Sequence, residues 1–185
     1  MLRKLIILSF IAGAIGLASE SDKCPVIKQR LWNLDRVIAG KWYEYKRSSN
    51  NWAGADKCTG FQYKRIGSGE FSVICDGIST IDNGVVRTVG KLTYKDPRNL
   101  TVTYFVPVVG VVKESYVILE TDYDNYAISW SCVQQGSRHI SYYWYITREP
   151  QPCMDIDRIA QRVIQEYGLQ PESMSKVDQD NCPYN

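Results

Sequence analysis

Between Gly40 and Glu149 the chain is a succession of short runs rich in Val, Ile, Thr, Tyr and Phe. These are separated by turn residues such as Gly67-Ser68-Gly69, Asp82-Asn83-Gly84, Asp96-Pro97 and Gly136-Ser137. β-Branched and aromatic side chains suit a pleated, half-buried surface, while Gly, Asn and Asp adopt the backbone conformations that tight reversals need. The pattern is that of an antiparallel meander. It predicts strands over residues 41–47, 58–65, 70–76, 85–94, 99–106, 114–121, 125–133 and 139–148. Eight strands in hairpin succession can close on themselves, which removes exposed edges and leaves an interior able to hold one small ligand.

After the last run the period changes. Ile156, Ile159, Ala160, Val163, Ile164 and Tyr167 follow the spacing of one helical face, and Gly168 supplies the stop. This amphipathic stripe needs an apolar bed, and the outer wall of a barrel is the large surface on offer. The expected fold class is therefore all-β: an eight-stranded up-and-down antiparallel barrel with one C-terminal amphipathic helix packed outside. The polar tail beyond Pro171 is expected to be extended, and pinned if Cys182 is bridged.

Residues 1–18 read as a signal peptide. Arg3 and Lys4 precede an apolar run from Leu5 to Leu17 that ends in the small residues Gly16 and Ala18, and the run is too short for a membrane span. The expected folded domain is 19–185. Removing Arg3 and Lys4 lowers Lys+Arg from 22 to 20 against an Asp+Glu total of 20, so the mature chain is formally neutral and has no basic face to recommend a nucleic acid partner. The six cysteines lack CxxC spacing and are accompanied by a single histidine, His139, which is assigned no role. In an exported chain they read as disulfide material rather than metal ligands, with fifteen pairings open.

Three short segments then carry a resemblance. Gly40-Lys41-Trp42 opens the first strand, Thr121-Asp122-Tyr123 follows the sixth, and Arg148 ends the eighth. In this order, behind a leader and before one helix, they resemble the conserved regions of the lipocalins. Thr121-Asp122-Tyr123-Asp124-Asn125-Tyr126-Ala127 and the tail Asp178-Gln179-Asp180-Asn181-Cys182-Pro183 look like the branch containing apolipoprotein D, the insect bilin-binding proteins and insecticyanin. The resemblance implies that Trp42 fills the closed end of the barrel under the Arg148 guanidinium, a cation–π contact worth about 1–2 kcal/mol when desolvated. It also implies bridges Cys24–Cys132 and Cys58–Cys182, each contributing about 2–4 kcal/mol. Cys75 and Cys153 depart from that pattern, and whether they form a third bridge stays open.

Side chains alternate across a strand, so one fixed point per strand assigns the rest. An inward Arg148 turns Tyr142, Trp144 and Ile146 inward. An outward Cys132 turns Ala127, Ser129 and Ser131 inward, and leaves Ile128 and Trp130 to bed the helix. The alternation of Phe71 and Val73 faces Cys75 to the cavity. By the resemblance, Tyr63 and Trp144 line the pocket, and Val102, Tyr104 and Tyr116 fall on inward positions. The expected ligand wall is Tyr63, Phe71, Val73, Cys75, Val102, Tyr104, Tyr116, Ser129, Tyr142 and Trp144. Glu44 and Lys46 share the parity of Trp42, and because an unpaired buried charge is costly they either pair, sit near the wet mouth, or mark a bulge that breaks the alternation; of these the mouth is the expected place.

The connection Val106–Val112 is apolar for a loop, and Trp52 lies in the first long loop. Both are expected to form a greasy rim touching a lipid surface or receptor during ligand transfer. Asn99-Leu100-Thr101 is a glycosylation sequon. The leading function is secreted, extracellular binding and transport or sequestration of a small hydrophobic ligand, with no metal and no catalysis. The resemblance points to a bilin such as biliverdin, with fatty acids, retinoids or sterols as alternatives. An enzyme would have to use Cys75, which has no histidine expected beside it. An inhibitor acting through its loops is the third class.

Overall fold

In a computed structural model, residues 23–49, 55, 57–79, 81–106, 109–171 and 173–183 are described. The leader, Trp52, Pro107 and Val108 lie outside them. A short helix α1 (Leu34–Ile38) leads into β1 (Gly40–Ser48), β2 (Lys57–Gly67), β3 (Glu70–Ile78), β4 (Val85–Thr93), β5 (Leu100–Val106), β6 (Gly110–Thr121), β7 (Tyr126–Gln135) and β8 (Arg138–Thr147). Helix α2 (Ile156–Glu166) and a short strand β9 (Met174–Lys176) follow.

Each strand pairs antiparallel with the next, and β1 bonds to both β2 and β8, so the sheet closes into an eight-stranded barrel. β9 adds beside β1, where the tail is extended as expected. All eight barrel strands fall on the predicted runs, with ends shifted by a residue or two except at β6. That strand starts at Gly110, so most of the apolar connection expected to be loop is strand. Alternation then sends Val106 and Val112 inward and leaves Phe105 and Val111 on the outer wall.

Two cores share the work. Inside the lower barrel, Trp42, Phe71, Val73, Leu92, Leu100 and Val102 pack with Leu34, Val37 and Ile38 of α1, each almost without exposure. Outside, Ile156, Ala160, Val163 and Ile164 of α2 pack on Val117, Leu119, Ile128, Trp130, Tyr143 and Tyr145. Burying a residue of Leu, Ile or Val size contributes about 1.5–3 kcal/mol, so this stripe holds the helix to the wall. Asp155 caps its start by accepting the backbone N–H of Arg158 at 3.0 Å, and Gly168, at φ +66°, reverses the chain after its end.

Disulfides Cys24–Cys132 and Cys58–Cys182 tie the two terminal segments to the barrel, as the resemblance implied. Cys75 and Cys153 are free: one lies inside the barrel and the other is exposed beside α2, so no third bridge forms. The tail is pinned further by Gln179, whose amide donates to the carbonyls of Glu44 (2.9 Å) and Thr59 (2.8 Å).

Candidate functional site

One end of the barrel is stoppered. The Trp42 indole donates to the Val37 carbonyl at 3.0 Å, and the Arg148 guanidinium lies 3.6 Å from the Trp42 ring centroid. Arg148 donates to the carbonyls of Ala39 (2.9 Å), Lys41 (3.0 Å), Tyr123 (3.2 Å) and Val37 (3.2 Å). One cation thereby satisfies backbone acceptors from the N-terminal segment, β1 and the β6–β7 turn. Gly40 is required here: its φ is +95°, and a β-carbon would press on the Arg148 guanidinium at 3.3 Å.

The same turn explains Thr121-Asp122-Tyr123. The Thr121 hydroxyl donates to the Tyr126 carbonyl and accepts the Tyr123 N–H. Asp122 accepts the N–H groups of Asn125 (2.8 Å) and Tyr126 (3.0 Å). Burial works against the Asp122 carboxylate, but hydrogen bonds from the Asn125 side chain and the turn's backbone hold it below the usual carboxylate range. The six residues expected at the closed end are thus brought together there.

Above this floor the barrel is hollow, with a cavity of about 200 Å³. Of the ten expected wall residues, Tyr63, Cys75, Val102, Tyr104, Tyr116, Ser129 and Trp144 line it. Phe71 and Val73 point inward but lie below the cavity, in the fully buried layer with Trp42 and Leu92. Tyr142 is displaced toward the mouth, its ring 6.2 Å from that of Trp144 and outside the cavity wall. In each case alternation gave the face correctly but not the depth. Thr59, Phe61, Thr88 and Glu114 also line the cavity and were not foreseen as site residues. Phe61 and Glu114 were legible, being two residues from Tyr63 and Tyr116 on the same faces.

Glu44 and Lys46 do not sit together at the mouth. A β-bulge between them shifts the register, so Glu44 faces inward opposite Ile146 while Lys46 faces outward and pairs with Asp157 at 2.7 Å. The inward place passes to Arg47, which donates to Glu44 at 2.6 Å and to the Ala55 carbonyl at 2.7 Å. Glu44 is only 1% exposed. Burial pushes its carboxyl above the ordinary range, and Arg47 offsets only part of this.

The cavity is rich in phenols. Burial pushes the hydroxyls of Tyr63, Tyr104 and Tyr116 above the ordinary tyrosine range. Gly90 lies opposite Tyr104 across β4 and β5, where a β-carbon would come within 2.6 Å of the Tyr104 ring; this glycine makes room for that wall residue. Burial pushes the Cys75 thiol up to about 12, so it stays protonated at neutral pH and is a poor nucleophile. Among the described residues, no group of His, Cys, Asp and Glu is placed to hold a metal ion. His139 is partly buried in the β7–β8 hairpin, and Asn99 is exposed just before β5.

Comparison with known proteins agrees with this geometry. The model of the lipocalin / cytosolic fatty-acid binding protein family matches residues 39–181. Apolipoprotein D of Cavia porcellus is 26% identical over 188 residues, spanning 97% of this chain and 96% of its own. The crustacyanin-A1 subunit of Homarus gammarus is 26% identical over 173 residues, spanning 88% of this chain and 92% of its own. Among solved structures, insecticyanin from the tobacco hornworm Manduca sexta superposes with a TM-score of 0.72 at 21% identity, over 86% of this chain and 87% of its own. At that identity the likeness is one of fold.

Proposed function

This chain belongs to the lipocalin / cytosolic fatty-acid binding protein family, whose members bind small hydrophobic molecules, and from that premise we propose that it carries or sequesters a bilin pigment such as biliverdin. The observation that supports this reading is a barrel closed at one end by Trp42 and Arg148 and walled above by aromatic rings with phenolic hydroxyls. Flat conjugated molecules with a few polar atoms gain both apolar burial and hydrogen bonds from such a wall. Fatty acids, retinoids and sterols are the alternatives, and they leave the phenols without a matching pattern of polar atoms.

A tetrapyrrole exceeds 200 Å³, and ligand pockets commonly span about 300–1,000 Å³. The reading therefore requires the ends of the pigment to project through the mouth, or Trp144 and Tyr116 to turn aside. Two disulfides form and persist in oxidising compartments, which supports action outside the cell. Binding of this kind needs no catalysis.

The test is titration with biliverdin, read by visible circular dichroism. A chiral pocket is expected to induce a signal that saturates at one pigment per chain and weakens severalfold in Trp144→Ala. No induced signal at stoichiometric concentrations overturns the bilin reading.

A second reading concerns the outer wall. Val89, Phe105 and Val111 lie side by side across β4, β5 and β6 near the mouth and are more than half exposed. Together they offer an apolar strip for transient contact with a lipid surface during ligand transfer. Replacing Phe105 and Val111 by Ser is expected to reduce retention on phosphatidylcholine vesicles, and unchanged retention removes the idea.

A further inference from the structure

The charges inside the cavity are unevenly satisfied. Glu44 is held by Arg47, and Asp76, at the cavity edge, is held by Arg87. Glu114 makes no salt bridge or hydrogen bond among the described residues. It lies on the inner face of β6 opposite Val102, two residues from Tyr116 and two from Val112, and its side chain enters the cavity. It lies inside the vessel, four steps along the strand from Gly110 at the hairpin, about 13 Å. No lysine or arginine is among the cavity's lining residues.

Such an arrangement selects a ligand by charge. A carboxylate turned into an apolar hollow without a partner is costly to bury. Burial accordingly pushes the Glu114 carboxyl above its ordinary range. An anionic head group brought to the same place finds a like charge, and the inward cation, Arg47, already donates to Glu44 and to the Ala55 carbonyl. A protonated amine supplies the missing partner, and the faces of Tyr104, Tyr116 and Trp144 around the same hollow favour a cation as well. Volume sets the size of that ligand. A cavity of about 150 Å³ accepts benzene, so the hollow of about 200 Å³ takes one aromatic ring with a short side chain.

We propose that the upper cavity is a binding site for a small aromatic amine, whose protonated nitrogen pairs with Glu114 while its ring lies among Tyr104, Tyr116 and Trp144. This rests on reading the barrel as a small-molecule vessel, and a bilin carried in the same hollow has to keep its propionate groups out at the mouth, away from Glu114.

The test is isothermal titration of the full-length protein with three probes of nearly one shape: phenethylamine, phenethyl alcohol and hydrocinnamate. The amine is expected to bind at least about tenfold tighter than the alcohol, and hydrocinnamate weaker than both. In Glu114→Gln the amine-to-alcohol ratio is expected to fall to about one, whereas Glu70→Gln on the outer wall leaves it unchanged. Equal binding of amine and alcohol to the wild type, or a preference that survives in Glu114→Gln, overturns the amine site and leaves the vessel standing. Binding of none of the three also overturns the amine site, while the biliverdin titration decides the vessel separately.

Discussion

The lower and upper halves of the barrel interior are built from the same strands by the same alternation, yet they are filled in opposite ways. In the lower half Trp42, Phe71, Val73 and Leu92 are sealed under α1, and Arg148, over the Trp42 ring, spends its donors on backbone carbonyls. In the upper half the inward positions hold Glu44, Arg47, Glu114, Cys75 and a ring of phenols around empty space. The lower half is a core, whose contents stabilise the fold. The upper half carries buried polar groups that cost stability, and such groups are retained where binding uses them.

That contrast can be broken by substitution. The largest effect is expected for Trp42→Ala, which removes the stopper and leaves Arg148 without its ring. Truncating a buried Trp costs about 3–5 kcal/mol, a fall of roughly 6–20 °C in Tm for a domain of this size, read by thermal denaturation. A fall of only a degree or two would show that the lower half is not the core described above.

Next comes Arg47→Met, which leaves Glu44 buried beside Glu114 without a cation. Breaking a buried pair in this way costs about 3 kcal/mol or more near neutral pH. Because burial raises the folded-state Glu44 carboxyl above its unfolded value, the folded protein holds that proton more tightly. The Glu44 contribution to stability is therefore greatest below the unfolded value of 4.5 and is lost as pH rises through the raised one. The loss in Arg47→Met is expected to shrink as pH is lowered from 7 toward 4.5, and a loss independent of pH contradicts the pairing.

Glu114→Gln is expected to have the smallest effect and the opposite sign. Removing an unpaired, mostly buried charge should raise Tm at pH 7 by about 2–4 °C, on the order of 1 kcal/mol. The gain should shrink as pH is lowered from 7 toward 4.5, because burial raises the folded-state carboxyl and it takes up its proton earlier than in the unfolded chain. A variant less stable than wild type at pH 7 would mean that Glu114 has a stabilising partner.

The same contrast explains what could be read from the sequence. The strands were legible because turn residues punctuate them, and the closed end because Gly40, Trp42 and Arg148 carry the resemblance to the lipocalins. Inward faces were legible from alternation as far as the first bulge. Between Glu44 and Lys46 one extra residue reverses the faces; the two charges on one inward face pointed to a bulge as one of three explanations but did not select it. Depth was not legible either: Phe71, Val73 and Cys75 share a face, but only Cys75 reaches the cavity, because the level of the floor depends on α1 and on neighbouring strands. Helix α1 escaped notice because five residues are too few to show a period.

On this reading the upper barrel is a vessel whose hollow receives the ligand. Thr88 lines the cavity, and Thr88→Trp fills it with a side chain while leaving the lower core untouched. The most direct measurement is titration of wild type and Thr88→Trp with a small neutral naphthyl fluorophore, with Tm recorded for both. Saturable binding at one site in wild type, lost in the folded variant at similar or higher Tm, is the predicted result. Unchanged binding in a folded Thr88→Trp would place the ligand elsewhere and contradict the account.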